Sequence, residues 1–225
     1  MTPADSSGGL GEHAPSATRH DLQLGRRLLH FVNGTVTATA YALLFTHEQV
    51  IHLFGTIACI VYVVDRVRIA YPEAVARRAP WVNRLFLRAE EQVRESAMIP
   101  YAIAVLLTIL TVPKPAALVA IYTLAVADPL AAVVGIRYGR RRLAHNRTLE
   151  GSLAFLGATL TIAICVLVWG TDAPGLAIAA ASGTIAVAAA GFELVPLRLD
   201  DNLTIPLFVG FTTWIVAAFF RIPLA

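Results

Sequence analysis

Residues 116–136 read AALVAIYTLAVADPLAAVVGI, and this run decides the class of fold. The run is apolar and about as long as the 20 residues that a helix needs to cross a bilayer. Its charged residue, Asp128, would cost about 2.5–3.5 kcal/mol at the centre of a span, so we expect it to face a cavity or a partner. Because Pro129 removes a backbone donor, we also expect the helix to break near Asp128.

The composition of the whole chain is typical of a membrane protein. Of its 225 residues, 57% are hydrophobic and 15% are charged, whereas soluble domains average about 45–50% and about 25%. This composition disfavours a soluble enzyme and a disordered chain, and two cysteines are too few for a disulfide scaffold. We therefore predict an all-α fold, a polytopic transmembrane helical bundle embedded in the lipid bilayer.

Apolar runs of similar character recur along the chain and predict about seven spans. They lie at residues 28–46, 50–65, 97–112, 116–136, 151–169, 174–192 and 203–220. The polar residues 1–20 lack the basic start and apolar core of a signal peptide, and we expect them to form a disordered cytoplasmic tail. Residues 21–225 are then expected to form a single transmembrane domain.

The basic residues set the expected orientation. With this set of spans, Lys114 and Arg221 fall on one side of the membrane and every other Lys or Arg falls on the opposite side. Because basic loops stay in the cytoplasm, we expect a cytoplasmic N-terminus and a place in the cytoplasmic (inner) membrane. The long polar connections lie on that same side, so the active face is expected to be cytoplasmic.

Four acidic residues on this side are candidates for catalysis or for holding Mg²⁺, which takes oxygen ligands. They are Asp128, Glu150, Glu193 and Asp201. Structural roles are open for some of them, since Asp128 could pair with an arginine to fix helix packing and Glu150 could cap the helix that follows. The sequence Asp200-Asp201-Asn202 before an apolar run is also typical of a helix cap.

A second group of residues has the properties of a phosphate site. Glycines let a phosphate approach the backbone, a helix start after Arg147 is a ready anion site, and arginine forks fit phosphate oxygens. The simpler alternatives are helix packing for the Gly-x-x-x-Gly sequence and attraction to lipid headgroups for the arginines. The predicted phosphate or nucleotide contacts are Arg27, His30, Arg66, Arg88, Gly135, Arg137, Gly139, Arg147, Thr148, Gly151, Ser152 and Asn202.

Five patches in this order carry a resemblance to a known family. They are Arg26-Arg27-x-x-His30; Asp65-Arg66-x-Arg68 with Arg88-x-Glu90; Asp128 with Ala131, Gly135 and Gly139; Arg147-Thr148-x-Glu150-Gly151-Ser152; and Glu193-x-x-Pro196 with Asp201-Asn202 and Pro206. Over residues 26–210 the chain resembles the polyprenol/dolichol kinase, phytol kinase and CTP-dependent diacylglycerol kinase family of integral membrane lipid kinases. It departs from the family at Ala127, where Gly is usual, and at Arg147, where Lys is usual.

The resemblance implies transfer of the γ-phosphate of a nucleoside triphosphate, CTP in much of the family, to the hydroxyl of a long-chain lipid alcohol. The acceptor is left open among polyprenol, dolichol, phytol and diacylglycerol. Mg²⁺ is the implied cofactor. Asp128 and Glu150 are the expected catalytic carboxylates, and the expected phosphate clamps are Arg27, Arg137 and Arg147.

Two other functions are less favoured. A nucleotidyl transfer like that of the phosphatidate cytidylyltransferases would be expected to show their long signature ending in Asp-Arg-x-Asp, which this sequence lacks. A small transporter or lipid-binding protein would be expected to have broken helices in both halves, whereas only the fourth span has a predicted break. No nucleic-acid partner is expected, and the sequence does not indicate an oligomeric state.

Overall fold

The computed structural model of the chain describes residues 19–78, 98–143, 147–197 and 199–224. For residues 19–27, 29, 30, 76, 98 and 100 it describes the backbone alone. Most of the predicted tail, residues 1–20, lies outside the described residues. Its last two residues, Arg19 and His20, begin the first helix.

The described residues form helices and no β-strand, which confirms the all-α prediction. The α-helices are α1 (Arg19–Leu43), α2 (His47–Ala70), α3 (Pro72–Arg78), α4 (Met98–Thr111), α5 (Lys114–Tyr122), α6 (Asp128–Tyr138), α7 (Leu149–Gly170), α8 (Gly175–Glu193) and α9 (Asp201–Phe219).

Each predicted apolar run overlaps these helices, and the run 116–136 covers parts of both α5 and α6. The prediction of a polytopic transmembrane bundle is confirmed. In the described parts of the chain, five helices are long and apolar enough to cross a membrane: α2, the continuous helix Lys114–Tyr138, α7, α8 and α9. The apolar part of α4, Tyr101–Thr111, is shorter, and α1 is long but less apolar. The predicted number of spans, about seven, therefore depends on α1 and α4.

The helix through residues 116–136 does not break at Asp128, contrary to the expectation from sequence. Between α5 and α6 lies a π-helical turn, Thr123–Ala127, in which the Asp128 N–H donates to the carbonyl of Thr123. A wider turn of this kind is rare, and it frequently occurs at functional sites. It lets the helix accommodate Pro129, which has no N–H, at the start of α6. The result is one continuous rod, Lys114–Tyr138, called the central rod below.

The central rod forms the core of the bundle. Residues 115–121 are all buried, and α1, α4, α7 and α9 pack around the rod. In contrast, α2 packs mainly on α4 and exposes most of its apolar side chains. In a membrane, such exposed apolar side chains would contact lipid tails, so their exposure does not oppose the fold.

The two ends of the bundle differ in charge. At one end, Lys114 donates to the carbonyls of Ala42 at 3.3 Å and Phe45 at 2.9 Å, and this end also holds Arg221. The loop between α6 and α7 and the connection between α8 and α9 lie at the other end, which is called the arginine-rich end below. The basic residues of the described part thus divide between the two ends as the sequence predicts.

Helices α6 and α7 approach each other closely at three glycines. A β-carbon added at Gly151 would lie 2.8 Å from the backbone oxygen of Ala131, and one added at Gly135 would lie 2.9 Å from Thr148 Oγ1. A β-carbon at Gly139 would collide with Thr148 at 2.6 Å. The three glycines therefore serve helix packing, which is the simpler of the two roles considered for the Gly-x-x-x-Gly sequence.

We predict that Gly151→Val lowers the free energy of unfolding by about 1–3 kcal/mol, because the added atoms force α6 and α7 apart. Thermal unfolding of the purified protein in detergent measures this effect. Gly157→Val is the matched control, since Gly157 lies on the same helix and an added β-carbon there has no atom within 4 Å in the described structure. Equal stability of the two variants would contradict the packing role.

Candidate functional site

The loop between α6 and α7 is folded back so that it directs Arg147 toward the helix ends. Arg142 and Thr148 form an antiparallel bridge, and the Leu149 N–H donates to the carbonyl of Arg141 at 2.9 Å. These contacts close the loop just before α7 begins. Arg147 therefore projects from a fixed base rather than from an open connection.

The guanidinium group of Arg147 contacts carboxylates from three helices. Its Nη1 lies 3.2 Å from Glu193 Oε1 and 4.0 Å from Asp128 Oδ1, and its Nη2 donates to Asp201 Oδ2 at 2.8 Å. Asp128 begins α6, Glu193 ends α8 and Asp201 begins α9. We call Asp128, Arg147, Glu193 and Asp201 the Arg147 cluster. Three of the four predicted carboxylates thus meet at one point of the arginine-rich end.

The Arg147 cluster is buried on the side of Glu193 and exposed to solvent on the side of Asp201. The side chain of Glu193 is 1% exposed, whereas that of Asp201 is 55% exposed. Glu193 Oε2 and Ser152 Oγ are both buried, and the side chains of Glu193 and Ser152 interact with each other without an ideal hydrogen-bond geometry. Because a buried charge is costly without a partner, the contact with Arg147 favours the ionised form of Glu193.

The donor atoms of the cluster suit Mg²⁺ in the way that nucleotide enzymes use it. Mg²⁺ binds through one or two carboxylates and takes its other ligands from substrate phosphates and water. Among the described residues, no group of three or more His, Cys, Asp or Glu side chains is arranged as a complete metal site. Glu193 and Asp201 can supply oxygens, and Glu193 has a second oxygen, Oε2, next to Ser152. The residues therefore fit a Mg²⁺ ion that takes its remaining ligands from the phosphates of a bound nucleotide.

Glu150 does not join the other three carboxylates. Its Oε2 accepts hydrogen bonds from the backbone N–H groups of Arg140 at 3.0 Å and Arg141 at 3.4 Å. These contacts hold the loop between α6 and α7 against the first turn of α7. The structure therefore gives Glu150 a positioning role, and the predicted catalytic and metal-binding roles find no support in its contacts.

The residues at the start of α7 are also occupied by structural contacts. Thr148 Oγ1 accepts a hydrogen bond from the Gly151 N–H at 3.2 Å and so caps the helix. Ser152 is buried next to that cap. The predicted anion site at this helix start is therefore partly filled by the protein itself, because a cap satisfies the N–H groups that an anion would use.

Helix capping also explains the Asp200-Asp201-Asn202 sequence at the start of α9. The side chain of Asp200 accepts a hydrogen bond from the Asn202 N–H at 2.9 Å. Because Asp200 serves as the cap, Asp201 is left to pair with Arg147. Asn202, a predicted nucleotide contact, is buried in the first turn of α9.

The other predicted phosphate contacts are spread over the surface. The Arg137 guanidinium lies 5.6 Å from the centre of the Tyr138 ring, and that of Arg66 lies 5.4 Å from the centre of the Tyr62 ring on α2. Each of these two arginines lies over an aromatic ring of its own helix. The predicted contacts whose side chains lie outside the described residues are Arg27, His30 and Arg88.

Sequence reasoning predicted no functional role for the buried pair of Asp65 and Arg68. Arg68 donates to Asp65 Oδ1 through Nη2 at 2.7 Å and through Nε at 3.2 Å, and both residues are 4% exposed. Opposite charges three residues apart at the end of an apolar helix are the signal that could have indicated this pair. It lies near the end of α2.

An apolar groove opens between α1, α5 and α7 in the half of the bundle away from the Arg147 cluster. Its cavity volume is about 390 Å³, and its walls include Leu118, Tyr122, Ile162 and Trp169. The Tyr122 hydroxyl forms a hydrogen bond with Thr39 Oγ1 at 2.9 Å. Tyr122 precedes Asp128 on the central rod by about 9 Å, at a rise of about 1.5 Å per residue.

Comparison with known proteins gives one relevant similarity. The chain is 33% identical over 101 residues to the phytol kinase of Synechocystis sp., and the aligned part covers 44% of this chain and 43% of that protein. The aligned part thus spans less than half the length of this relative. No family model matches the chain, and no solved structure matches it significantly. The similarity supports a relationship to a lipid kinase, in agreement with the resemblance carried by the motifs.

We predict that Glu150→Ala speeds tryptic cleavage after Arg140 and Arg141, because the loop loses the carboxylate that accepts their N–H groups. Limited proteolysis followed by mass spectrometry measures the rate at each arginine. Glu150→Gln keeps one acceptor oxygen and should give an intermediate rate. Asp172→Ala, at an exposed position of the opposite end, should leave the rate unchanged, and a loop that is equally resistant in all four proteins would contradict the positioning role.

Proposed function

We propose that the protein is a membrane-embedded kinase that transfers the γ-phosphate of a nucleoside triphosphate, CTP by preference, to the hydroxyl of a long-chain lipid alcohol. The observation that carries the proposal is the convergence of Asp128, Glu193 and Asp201 on Arg147 at the arginine-rich end. The similarity to a phytol kinase supports the same class of reaction. We further propose that this end faces the cytoplasm of the inner membrane, where nucleotides are present.

The cluster contains the groups that phosphoryl transfer requires, namely positioned positive charge, oxygen ligands for a metal and a proton acceptor. Mg²⁺ would be held by Glu193 and Asp201, and it neutralises negative charge on the triphosphate when bound. Arg147 would bind phosphate oxygens through its planar fork. The exposed arginines of the adjoining loop, among them Arg140, would add positive charge around the triphosphate.

Asp128 is the residue that we propose receives the proton of the lipid hydroxyl. Its oxygen is 4.0 Å from Arg147 Nη1, the longest contact of the three, and its side chain is one quarter exposed. The hydroxyl oxygen would form a bond to the γ-phosphorus while the bond from that phosphorus to the β-γ bridging oxygen breaks. The proton would pass to Asp128, and a lipid phosphate and a nucleoside diphosphate would leave.

The apolar groove between α1, α5 and α7 is the proposed site for the lipid tail. Its lining is mainly apolar, and it lies further along the same central rod that carries Asp128. A lipid whose hydroxyl reaches Asp128 from within the bilayer could extend its chain toward Tyr122 and then Leu118. Neither the groove nor the cluster distinguishes polyprenol, dolichol, phytol and diacylglycerol, so the acceptor is proposed only as a class.

We predict that Asp128→Asn lowers the rate of lipid-alcohol phosphorylation by about 100-fold or more, because the amide cannot accept the proton. The assay uses purified protein, Mg²⁺, labelled CTP and a panel of lipid alcohols in vesicles. Asp172→Asn is the control variant, and thermal unfolding of both proteins tests whether they are folded. Undiminished phosphorylation by Asp128→Asn would remove this residue from the mechanism.

The position of the label distinguishes the kinase from the alternative reactions. Label from γ-labelled CTP in the lipid product is expected for a kinase. Label from the α-phosphate in the lipid would instead indicate nucleotidyl transfer of the cytidylyltransferase kind. If neither label enters lipid with any alcohol tested, with CTP or with ATP, the kinase proposal is wrong, and uptake without nucleotide would favour a transporter.

We predict that Ile162→Trp raises the KM for long-chain alcohols several-fold, because the larger ring fills the groove, and leaves the KM for a short-chain analogue unchanged. Steady-state kinetics with acceptors of increasing chain length measures the effect. Val187→Trp is the control, because Val187 is an exposed apolar residue of α8 outside the groove. An equal change for long and short acceptors would contradict the proposed tail site.

A further inference from the structure

We infer that Arg147 competes with the divalent cation for the same carboxylate oxygens, so that the cation binds well only when a triphosphate draws Arg147 away from them. This inference deepens the proposed function and rests on it for the identity of the triphosphate. It concerns an exchange of positive charge within the Arg147 cluster, and its test needs neither a lipid nor catalysis.

The distances within the cluster show that the two cations would use the same atoms. Arg147 Nη2 donates to Asp201 Oδ2 at 2.8 Å, and Nη1 lies 3.2 Å from Glu193 Oε1. Mg²⁺ binds carboxylate oxygens at about 2.0–2.1 Å. An ion at that distance from both oxygens would lie in the space of the guanidinium group. Two cations bound to the same carboxylates would also repel each other at this short distance.

The cluster has more capacity for positive charge than Arg147 uses. One guanidinium faces three carboxylates. In addition, Glu193 Oε2 and Ser152 Oγ are buried, and neither atom forms a hydrogen bond of ideal geometry in the described structure, although the two side chains interact with each other. Buried polar atoms are usually fully hydrogen-bonded, so atoms with unused capacity call for an explanation. A small, doubly charged cation could use this capacity, whereas the planar guanidinium contacts Glu193 through Oε1.

The position of Arg147 allows it to move outward. It lies at the end of a surface loop, its side chain is about one quarter exposed, and its partner Asp201 is more than half exposed. A phosphate that approaches from solvent would meet the guanidinium before it meets the buried Glu193. Arginine binds phosphate oxygens through the same planar fork that it uses for carboxylates. The exchange would leave Glu193 paired at each stage, first with Arg147 and then with the metal.

The consequence is that metal and triphosphate should bind cooperatively. By linkage, a triphosphate that removes Arg147 from the carboxylates must raise the affinity for the metal, and the metal must raise the affinity for the triphosphate by the same factor. A metal alone should bind weakly. This arrangement would keep the buried glutamate charged and paired in a membrane protein that has no other described cation next to it.

The first test measures Mn²⁺ binding by electron paramagnetic resonance without nucleotide or lipid. Arg147→Gln should bind Mn²⁺ about tenfold more tightly than the wild type, because the competing charge is gone. Arg147→Lys keeps that charge and should resemble the wild type. Adding Glu193→Gln to Arg147→Gln should abolish the gain, which assigns it to this cluster. An affinity for Mn²⁺ that does not rise in Arg147→Gln would overturn the inference.

The second test uses the wild-type protein, so it holds even if Arg147→Gln fails to fold. Phenylglyoxal modifies accessible arginines, and mass spectrometry follows each one. Millimolar Mn²⁺ should raise the modification rate of Arg147 several-fold, and inorganic triphosphate added with Mn²⁺ should lower it again. Arg221, at the opposite end, serves as the internal control and should not change. An Arg147 rate that Mn²⁺ leaves unchanged or lowers would overturn the inference.

The two proposals fail separately. A protein that shows this competition but phosphorylates no lipid alcohol would refute the proposed function and leave the competition established. A protein that phosphorylates a lipid alcohol without any change in Arg147 reactivity would refute the competition alone.

Discussion

The pairing of Arg147 with Glu193 is the interaction on which the rest of the arginine-rich end depends. Glu193 is almost wholly buried at the end of an apolar helix. A carboxylate in such surroundings would be several kcal/mol less stable without a partner, so the loop that carries Arg147 has to reach it. The bridge within the loop and the contacts of Glu150 then hold Arg147 in position. Asp128 and Asp201 complete a set of charges drawn from three helices.

The close contact of α6 and α7 makes this geometry possible. Gly135 and Gly151 have no side chains to separate the two helices, and Thr148 fills the remaining space. The π-helical turn before Asp128 keeps the central rod continuous in spite of Pro129. Apolar packing and glycine contacts thus determine where the charged residues lie, even though none of the packing atoms could take part in catalysis.

The arrangement suits a reaction between one water-soluble and one membrane-bound substrate. The charged recess opens to solvent on the side of Asp201, and the apolar groove lies further along the same rod. A chain with no large soluble domain among its described residues can serve such a reaction, because the acceptor lipid never has to leave the bilayer. The proposed exchange of Arg147 for a metal adds a reason why the positive charge at this site comes from a side chain that is partly exposed to solvent.

The class of fold, the approximate positions of the helices and the concentration of arginines at one end could be predicted from the sequence. These depend on apolar length and on local charge, which are properties of short segments. The sequence also named Asp128, Glu193 and Asp201 as carboxylates of interest. It could not decide which of several open roles each residue takes. In the structure the glycines lie at the close contact of α6 and α7, Asp200 caps α9 and Glu150 accepts hydrogen bonds from the loop. These partners follow from the folded arrangement, because Arg147 and Asp201 are 54 residues apart in the chain and their contact depends on how the helices between them pack.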